Sequence, residues 1–283
     1  MGRYIKYEIK GSYKFILGVL ALVLILTTGI YTYGNNANGA SALGGTFIGL
    51  STLVIFGTLL TTFLYIVGSF RKELYEDRGY LTFTLPLTGH EILGAKLIVA
   101  TMWFLILGVV ILGYNIVMAM NLDIVKESID GMNVTIKVFP ELFNRGMVMT
   151  FILMLLGGIS TLILIYLSMA LGRVTLRNKK IGGFWFIIFL VLSVLVGVGQ
   201  AKVISGIPYY LDLNTFKIIS YESFIDAVEY SNVNLLQIND AAALLTGNGS
   251  QYLLNIAGFI YLIGMMIINF LLTGYIIENK IDL

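Results

Sequence analysis

The chain has 283 residues, 58% hydrophobic and 12% charged, with a formal net charge of +2 and a mean hydropathy of +0.89. A charged fraction near half the roughly 25% of soluble domains argues against water-soluble domains and predicts a membrane protein. No cysteine and one histidine, His90, exclude disulfides and thiol chemistry and leave almost nothing for a transition-metal site.

A membrane-crossing helix needs about 20 mainly apolar residues. Six runs meet or approach that length: 15–33, 43–70, 92–120, 147–172, 182–200 and 252–276. The expected fold class is an all-α membrane protein, a single transmembrane domain over 1–283 with six transmembrane helices. Apart from Lys96, no Asp, Glu, Lys, Arg or His lies inside a span.

The opening MGRYIKYEIKGSYK puts Ile5, Ile9 and Tyr13 on one helical face, with Arg3, Lys6 and Lys10 largely elsewhere. That pattern predicts an N-terminal amphipathic helix over 1–14 lying in the membrane interface. Ala40-Ser41-Ala42 resembles a signal-peptide cleavage site but lies too far beyond the first apolar run. Gly2 lacks the Ser or Thr expected for myristoylation, since Lys6 holds that place.

In span two, Ser51, Thr58, Thr62 and Ser69 are spaced by seven, four and seven residues and so return to nearly one face. They form either a polar stripe along a transport path or hydroxyls satisfied by carbonyls one turn earlier or by neighbouring helices. Gly45 and Gly49 make a GxxxG pair suited to close helix contact.

Between spans two and three the chain reads RKELYEDRGYLTFTLPLTG, residues 71–89. Arg71 to Asp77 can extend span two as a helix, with Glu73 and Asp77 on one face and Leu74 able to contact Arg78. Gly79 is a natural break. Tyr80, Leu81, Phe83 and Leu85 then alternate in a β-prone run closed by Pro86. Thr88-Gly89-His90-Glu91 fits a capping box, which predicts a helix start with a defined entry angle. Exposed apolar groups beside charges suggest a docking surface; a loop tucked against the bundle is the alternative.

In span five, Ser193, Gly197 and Gln200 share a face that Phe186 continues. That face suits a path lining, a dimer seam or core packing. Residues 201–251 are too long for a plain connector. Phe224 and Val228 recur at helical spacing, and Ala241 to Leu245, ended by Gly247, reads as another short helix. Short extracellular helices are therefore expected between spans five and six, with tyrosines suited to an interface. The sequons at Asn133 and Asn248 carry no weight without a eukaryotic host.

Basic residues orient the spans. Arg3, Lys6, Lys10 and Lys14 precede span one, and Arg71, Lys72, Arg78 and Lys96 lie between spans two and three. Arg173, Arg177, Lys179 and Lys180 lie between spans four and five, and Lys280 follows span six. The positive-inside rule then places both termini in the cytoplasm.

The series ELYEDRGYLTFTLPLTGHEILGAKLI resembles the segment after the second span in permeases of type-2 ATP-binding-cassette (ABC) exporters. The shared features are an acid-rich helix end, the step Thr84-Leu85-Pro86, Glu91, and Gly94 with Lys96, here separated by Ala95. The layout of six spans, cytoplasmic ends and a long segment before span six extends the resemblance over the chain.

The resemblance implies that residues 71–91 form a cytoplasmic coupling segment docking on a separate ATPase subunit. It assigns that contact to Glu73, Tyr75, Asp77, Arg78 and Gly79 at the helix end and turn. Tyr80, Leu81, Phe83 and Pro86 follow in the apolar run, and Thr88 and Glu91 in the cap. It also implies a translocation path lined by spans two and five: Ser51, Thr58, Thr62 and Ser69, then Phe186, Ser193, Gly197 and Gln200. Partners would be a pair of ABC ATPase subunits and a second permease, identical in a homodimer or else a paralogue, within a bacterial cytoplasmic membrane.

The chain carries no phosphate-binding loop of its own. From Gly89 to Lys96, Ala95 interrupts the required Gly-Lys pair and Leu97 stands where Ser or Thr belongs. ATP and Mg are thus expected on the partner ATPase, with no cofactor, catalytic residue or metal in this chain and no nucleic-acid partner. An uncharged, weakly polar lining suits amphipathic cargo, antimicrobial or toxin-like peptides above all. An intramembrane enzyme lacks the buried acid or histidine to activate a nucleophile. The alternatives are an ion-coupled secondary transporter, for which the spans offer no obvious ionisable site, or an ATPase-linked membrane sensor or scaffold that moves nothing.

Overall fold

A computed structural model of the chain describes residues 1–36, 41–75, 87–120, 145–175, 184–213, 215–220, 244–246 and 252–280. These residues are mostly helical. The helices are α1 (Gly2–Asn36), α2 (Ser41–Tyr75), α3 (Gly89–Met120), α4 (Arg145–Thr175), α5 (Phe184–Gly206) and α6 (Ile256–Asn279). All six are long and apolar enough to cross a membrane, as the hydropathy predicts for a multi-pass membrane protein. The chain divides into two compact units, Met1–Val138 with α1 to α3 and Phe139–Leu283 with α4 to α6.

In the first unit α1 packs on both α2 and α3. Ile9, Ile16 and Val23 recur every seven residues along α1, and Val99, Trp103, Leu107 and Ile111 every four along α3. Each set forms one stripe, and the two stripes make the core of the unit. Phe15 stacks on Tyr65 of α2 with ring centroids 4.1 Å apart.

The expected interfacial helix over 1–14 is instead the beginning of α1, which runs unbroken from Gly2 to Asn36. Its apolar face does exist, but protein covers part of it. Ile5 packs against Tyr4, Ile92 and Ala95, and both Ile5 and Ile9 pack on the α1–α3 core. An amphipathic face can be buried by lipid or by a neighbouring helix. Here Glu8 and Ser12 find polar partners on α3, which selects the helix.

In the second unit α4 packs against α5 and α6. Every residue of α4 from Leu162 to Ala170 is buried, so this stretch is enclosed on all sides. Two glycines let helices α5 and α6 approach closely. A Cβ on Gly258 would lie 2.7 Å from Ile204 Cγ1, and one on Gly199 would run into the Tyr261 hydroxyl.

Between α5 and α6 the described residues form strands rather than the expected short helices. They are β1 (Tyr209–Asp212), β2 (Ile218–Ser220), β3 (Leu244–Thr246) and β4 (Tyr252–Asn255), an antiparallel sheet in the order β2-β1-β4-β3. Leu244 and Leu245, read from sequence as the end of a helix, pair with Leu254 and Leu253 instead. Ladder hydrogen bonds from β4, the next strand in the chain, override a short, weak helical pattern. Phe224, Val228 and Ala241 lie outside the described residues.

Candidate functional site

The sequence-predicted coupling segment is described at its two ends, Glu73 and Tyr75 on α2 and Thr88 and Glu91 at the start of α3. Asp77, Arg78, Gly79, Tyr80, Leu81, Phe83 and Pro86 lie outside the described residues.

The capping box forms as its spacing predicts. The Glu91 N–H donates to Thr88 Oγ1 at 3.3 Å, and the Thr88 N–H donates to Glu91 Oε2 at 3.1 Å. Leu87 before the cap and Ile92 inside the helix both belong to the cluster around Tyr4, the pairing of a hydrophobic staple. Cap and staple together fix the direction in which the chain enters α3.

One turn further on, Lys96 is buried, its side chain 4% exposed. Its ammonium donates to Glu8 Oε1 of α1 at 3.0 Å and to Glu73 Oε1 of α2 at 2.8 Å. The Tyr4 hydroxyl donates to the other Glu73 oxygen at 3.4 Å. Each helix of the unit thus supplies a charge to one cluster. An isolated buried ammonium would be costly to desolvate, and so would each carboxylate. The cluster is formally anionic, with two carboxylates around one ammonium.

Further polar contacts extend the junction. Ser12 Oγ donates to the Glu8 carbonyl at 2.8 Å and accepts from Trp103 Nε1 at 2.9 Å. The Tyr65 hydroxyl donates to the Gly11 carbonyl at 3.2 Å. Glu73, predicted as an ATPase contact, therefore faces inward to Lys96. Tyr4, Glu8, Ser12 and Trp103 were not singled out from the sequence as site residues. Their signal was present: Tyr4, Glu8 and Ser12 are four residues apart on one stripe, and a lysine inside a span demands an acid.

At the other end of these three helices a neutral polar cluster forms. Asn115 Oδ1 accepts from Ser51 Oγ at 2.6 Å and from the Tyr31 hydroxyl at 3.4 Å. Asn115 Nδ2 donates to the Ile111 carbonyl at 2.8 Å. Thr28 Oγ1 donates to the Leu24 carbonyl at 2.6 Å, which leaves Tyr114 as donor in its 2.5 Å contact with Thr28.

Of the predicted path residues on α2, Ser51, Thr58 and Thr62 are buried and Ser69 is half-buried. Thr58 Oγ1 donates to the Val54 carbonyl at 2.7 Å, one turn back. Thr62 Oγ1 is buried with no hydrogen-bond partner among the described residues. The predicted residues on α5 have a different setting. Phe186 is exposed beside Trp185, and Gly197 has open space where a side chain would be. Ser193 Oγ donates to its own Leu190 carbonyl at 2.9 Å, and Gln200 is half-buried. The α2 residues lie in the first unit and the α5 residues in the second.

Comparison of the chain with protein-family models, with curated proteins and with solved structures finds no match.

Proposed function

We propose that this chain is the membrane-spanning permease subunit of an ATP-driven exporter of the type-2 ABC class, moving amphipathic cargo such as antimicrobial or toxin-like peptides. ATP would bind a separate ATPase pair, and a second permease, identical in a homodimer, would complete the pathway.

The observation that carries this reading is how the flanks of residues 76–86 are held. Glu73 on one side and Lys96 on the other meet Glu8 in one buried cluster, and the Thr88–Glu91 cap fixes the return into α3. A load applied to the connecting segment would reach three helices at once rather than dissipate in a loose loop. Such a mounting suits a segment that receives force from a partner, and the motif resemblance of residues 71–96 names an ATPase as that partner.

The test is mild detergent extraction of the tagged chain from its native membrane, with copurifying proteins identified by mass spectrometry. A stoichiometric ATPase, lost on Leu81→Asp while the variant still inserts, is the expected result. Absence of any ATPase under conditions that retain other membrane complexes would remove the exporter assignment.

A second reading rests on the same cluster. An ionisable group within a helical membrane unit is a natural coupling site for a proton. An ion-coupled carrier would show proton flux in vesicles without ATP. An exporter would show none.

A further inference from the structure

The sheet of the second unit carries an apolar surface separate from its buried side. Tyr210 and Asp212 of β1 are buried, whereas Tyr209 is 53% exposed. Leu211 lies opposite Ile218 across the β1–β2 pair and on the same face as Tyr209. Ile218 is 66% exposed, and Ile207 just before β1 and Phe216 in the connecting turn are exposed as well.

Phe216 has φ 55°, the only positive value at a non-glycine position among the described residues. Its N–H donates to the Asp212 carbonyl at 2.8 Å, and the Asp212 N–H donates to the Lys217 carbonyl at 2.9 Å. Thr215 Oγ1 donates to Asp212 Oδ2 at 2.7 Å. This is a hairpin turn whose left-handed position normally takes Gly or Asn. An aromatic side chain held there against backbone preference points to a use for the ring outside the turn.

The sheet is tethered tightly to two spanning helices. β1 begins three residues after α5 ends at Gly206, and β4 passes directly into α6. Asn255 ends β4 and caps α6, its Oδ1 accepting from the Gly258 N–H at 2.7 Å. Its Nδ2 donates to the Ile207 carbonyl at 3.3 Å, which fastens the approach to β1 onto the start of α6. The four residues of β1 span only about 13 Å at strand rise. The hairpin therefore starts at the adjoining ends of these two helices.

We infer that the face formed by Ile207, Tyr209, Phe216 and Ile218 is a lipid-binding surface, seated in the boundary between headgroups and acyl chains. The occupant follows from position: the hairpin begins three residues beyond α5, a spanning helix whose Val194, Leu195 and Val198 are themselves exposed apolar residues. Aromatic residues favour this boundary, and Tyr209 and Phe216 bring two exposed rings to it. The inference needs only that α5 and α6 cross a membrane and is independent of the exporter assignment.

Because the chain has no cysteine, a single introduced thiol can be labelled cleanly. Phe216→Cys and Ile218→Cys, each carrying an environment-sensitive fluorophore, would be reconstituted as full chains. The vesicles are phosphatidylethanolamine and phosphatidylglycerol, with plain or brominated acyl chains, and Val194→Cys serves as the lipid-facing reference. The expected result is blue-shifted emission at 216 and 218, loss of fluorescence in brominated lipid as at 194, and resistance to aqueous iodide. Quenching by iodide without an effect of bromine would overturn the inference by placing the hairpin in water. Shielding from both would also overturn it, identifying a protein cover such as residues 221–243 or a second copy. If Phe216→Cys fails to fold, Ile218→Cys decides alone.

Discussion

Lys96 Nζ lies 2.8 Å from Glu73 Oε1, joining the end of α2 to the beginning of α3. Glu8, 88 residues earlier in the chain than Lys96, completes the cluster at 3.0 Å. The three charges make each helix of the first unit depend on the other two.

Removing the lysine should therefore cost much more than removing the whole cluster. Lys96→Met leaves two carboxylates facing each other in a buried site, a loss of about 3–5 kcal/mol. Thermal unfolding in detergent should show a large fall in midpoint for Lys96→Met. Most of that fall should be recovered when Glu8→Gln and Glu73→Gln are added. A wild-type midpoint for Lys96→Met would show that the cluster holds nothing together.

The α2 hydroxyls should separate by their partners. Ser51→Ala removes the shortest donor to Asn115 Oδ1 and should cost about 1 kcal/mol. Thr62→Val removes a buried hydroxyl that has no partner among the described residues, at nearly constant shape, and should be neutral or stabilising. Equal losses for the two, measured by the same unfolding assay, would contradict this assignment.

Two glycines of the α5–α6 contact should differ in the same manner. A Cβ at Gly199 meets the tip of Tyr261, which can swing away and give up its 3.2 Å bond to the Val196 carbonyl, costing about 1 kcal/mol. A Cβ at Gly258 meets buried Ile204 at 2.7 and 2.9 Å and Asn255 Oδ1 at 3.2 Å, with little room to yield. Gly258→Ala should cost about 1–3 kcal/mol and more than Gly199→Ala. Adding Tyr261→Phe should ease Gly199→Ala and leave Gly258→Ala unchanged.

Asn255 joins sheet to helix, so Asn255→Ala should lose a helix cap and a tether together, about 1–2 kcal/mol. Asn255→Ser keeps the cap alone and should fall between Ala and wild type. Hydrogen exchange at the Gly258 amide reads the effect directly, since that N–H is the one Asn255 accepts. Unchanged protection in Asn255→Ala would count against the cap.

The six apolar runs and the Thr88–Glu91 cap were legible in the sequence by itself, because both follow from contacts with solvent or with residues three or four positions away. Hydropathy needs no partner, and a capping box is closed within one turn. The tertiary structure alone decided that the first residues continue α1, since an amphipathic face does not specify whether lipid or α3 will cover it. It also decided that Leu244 and Leu245 pair as a strand with Leu254 and Leu253, because ladder hydrogen bonds come from the partner strand. The meeting of Lys96 with both Glu8 and Glu73 has the same origin. Composition requires that a buried lysine find an acid, but only the packing of three helices selects which acids stand within 3.0 Å of it.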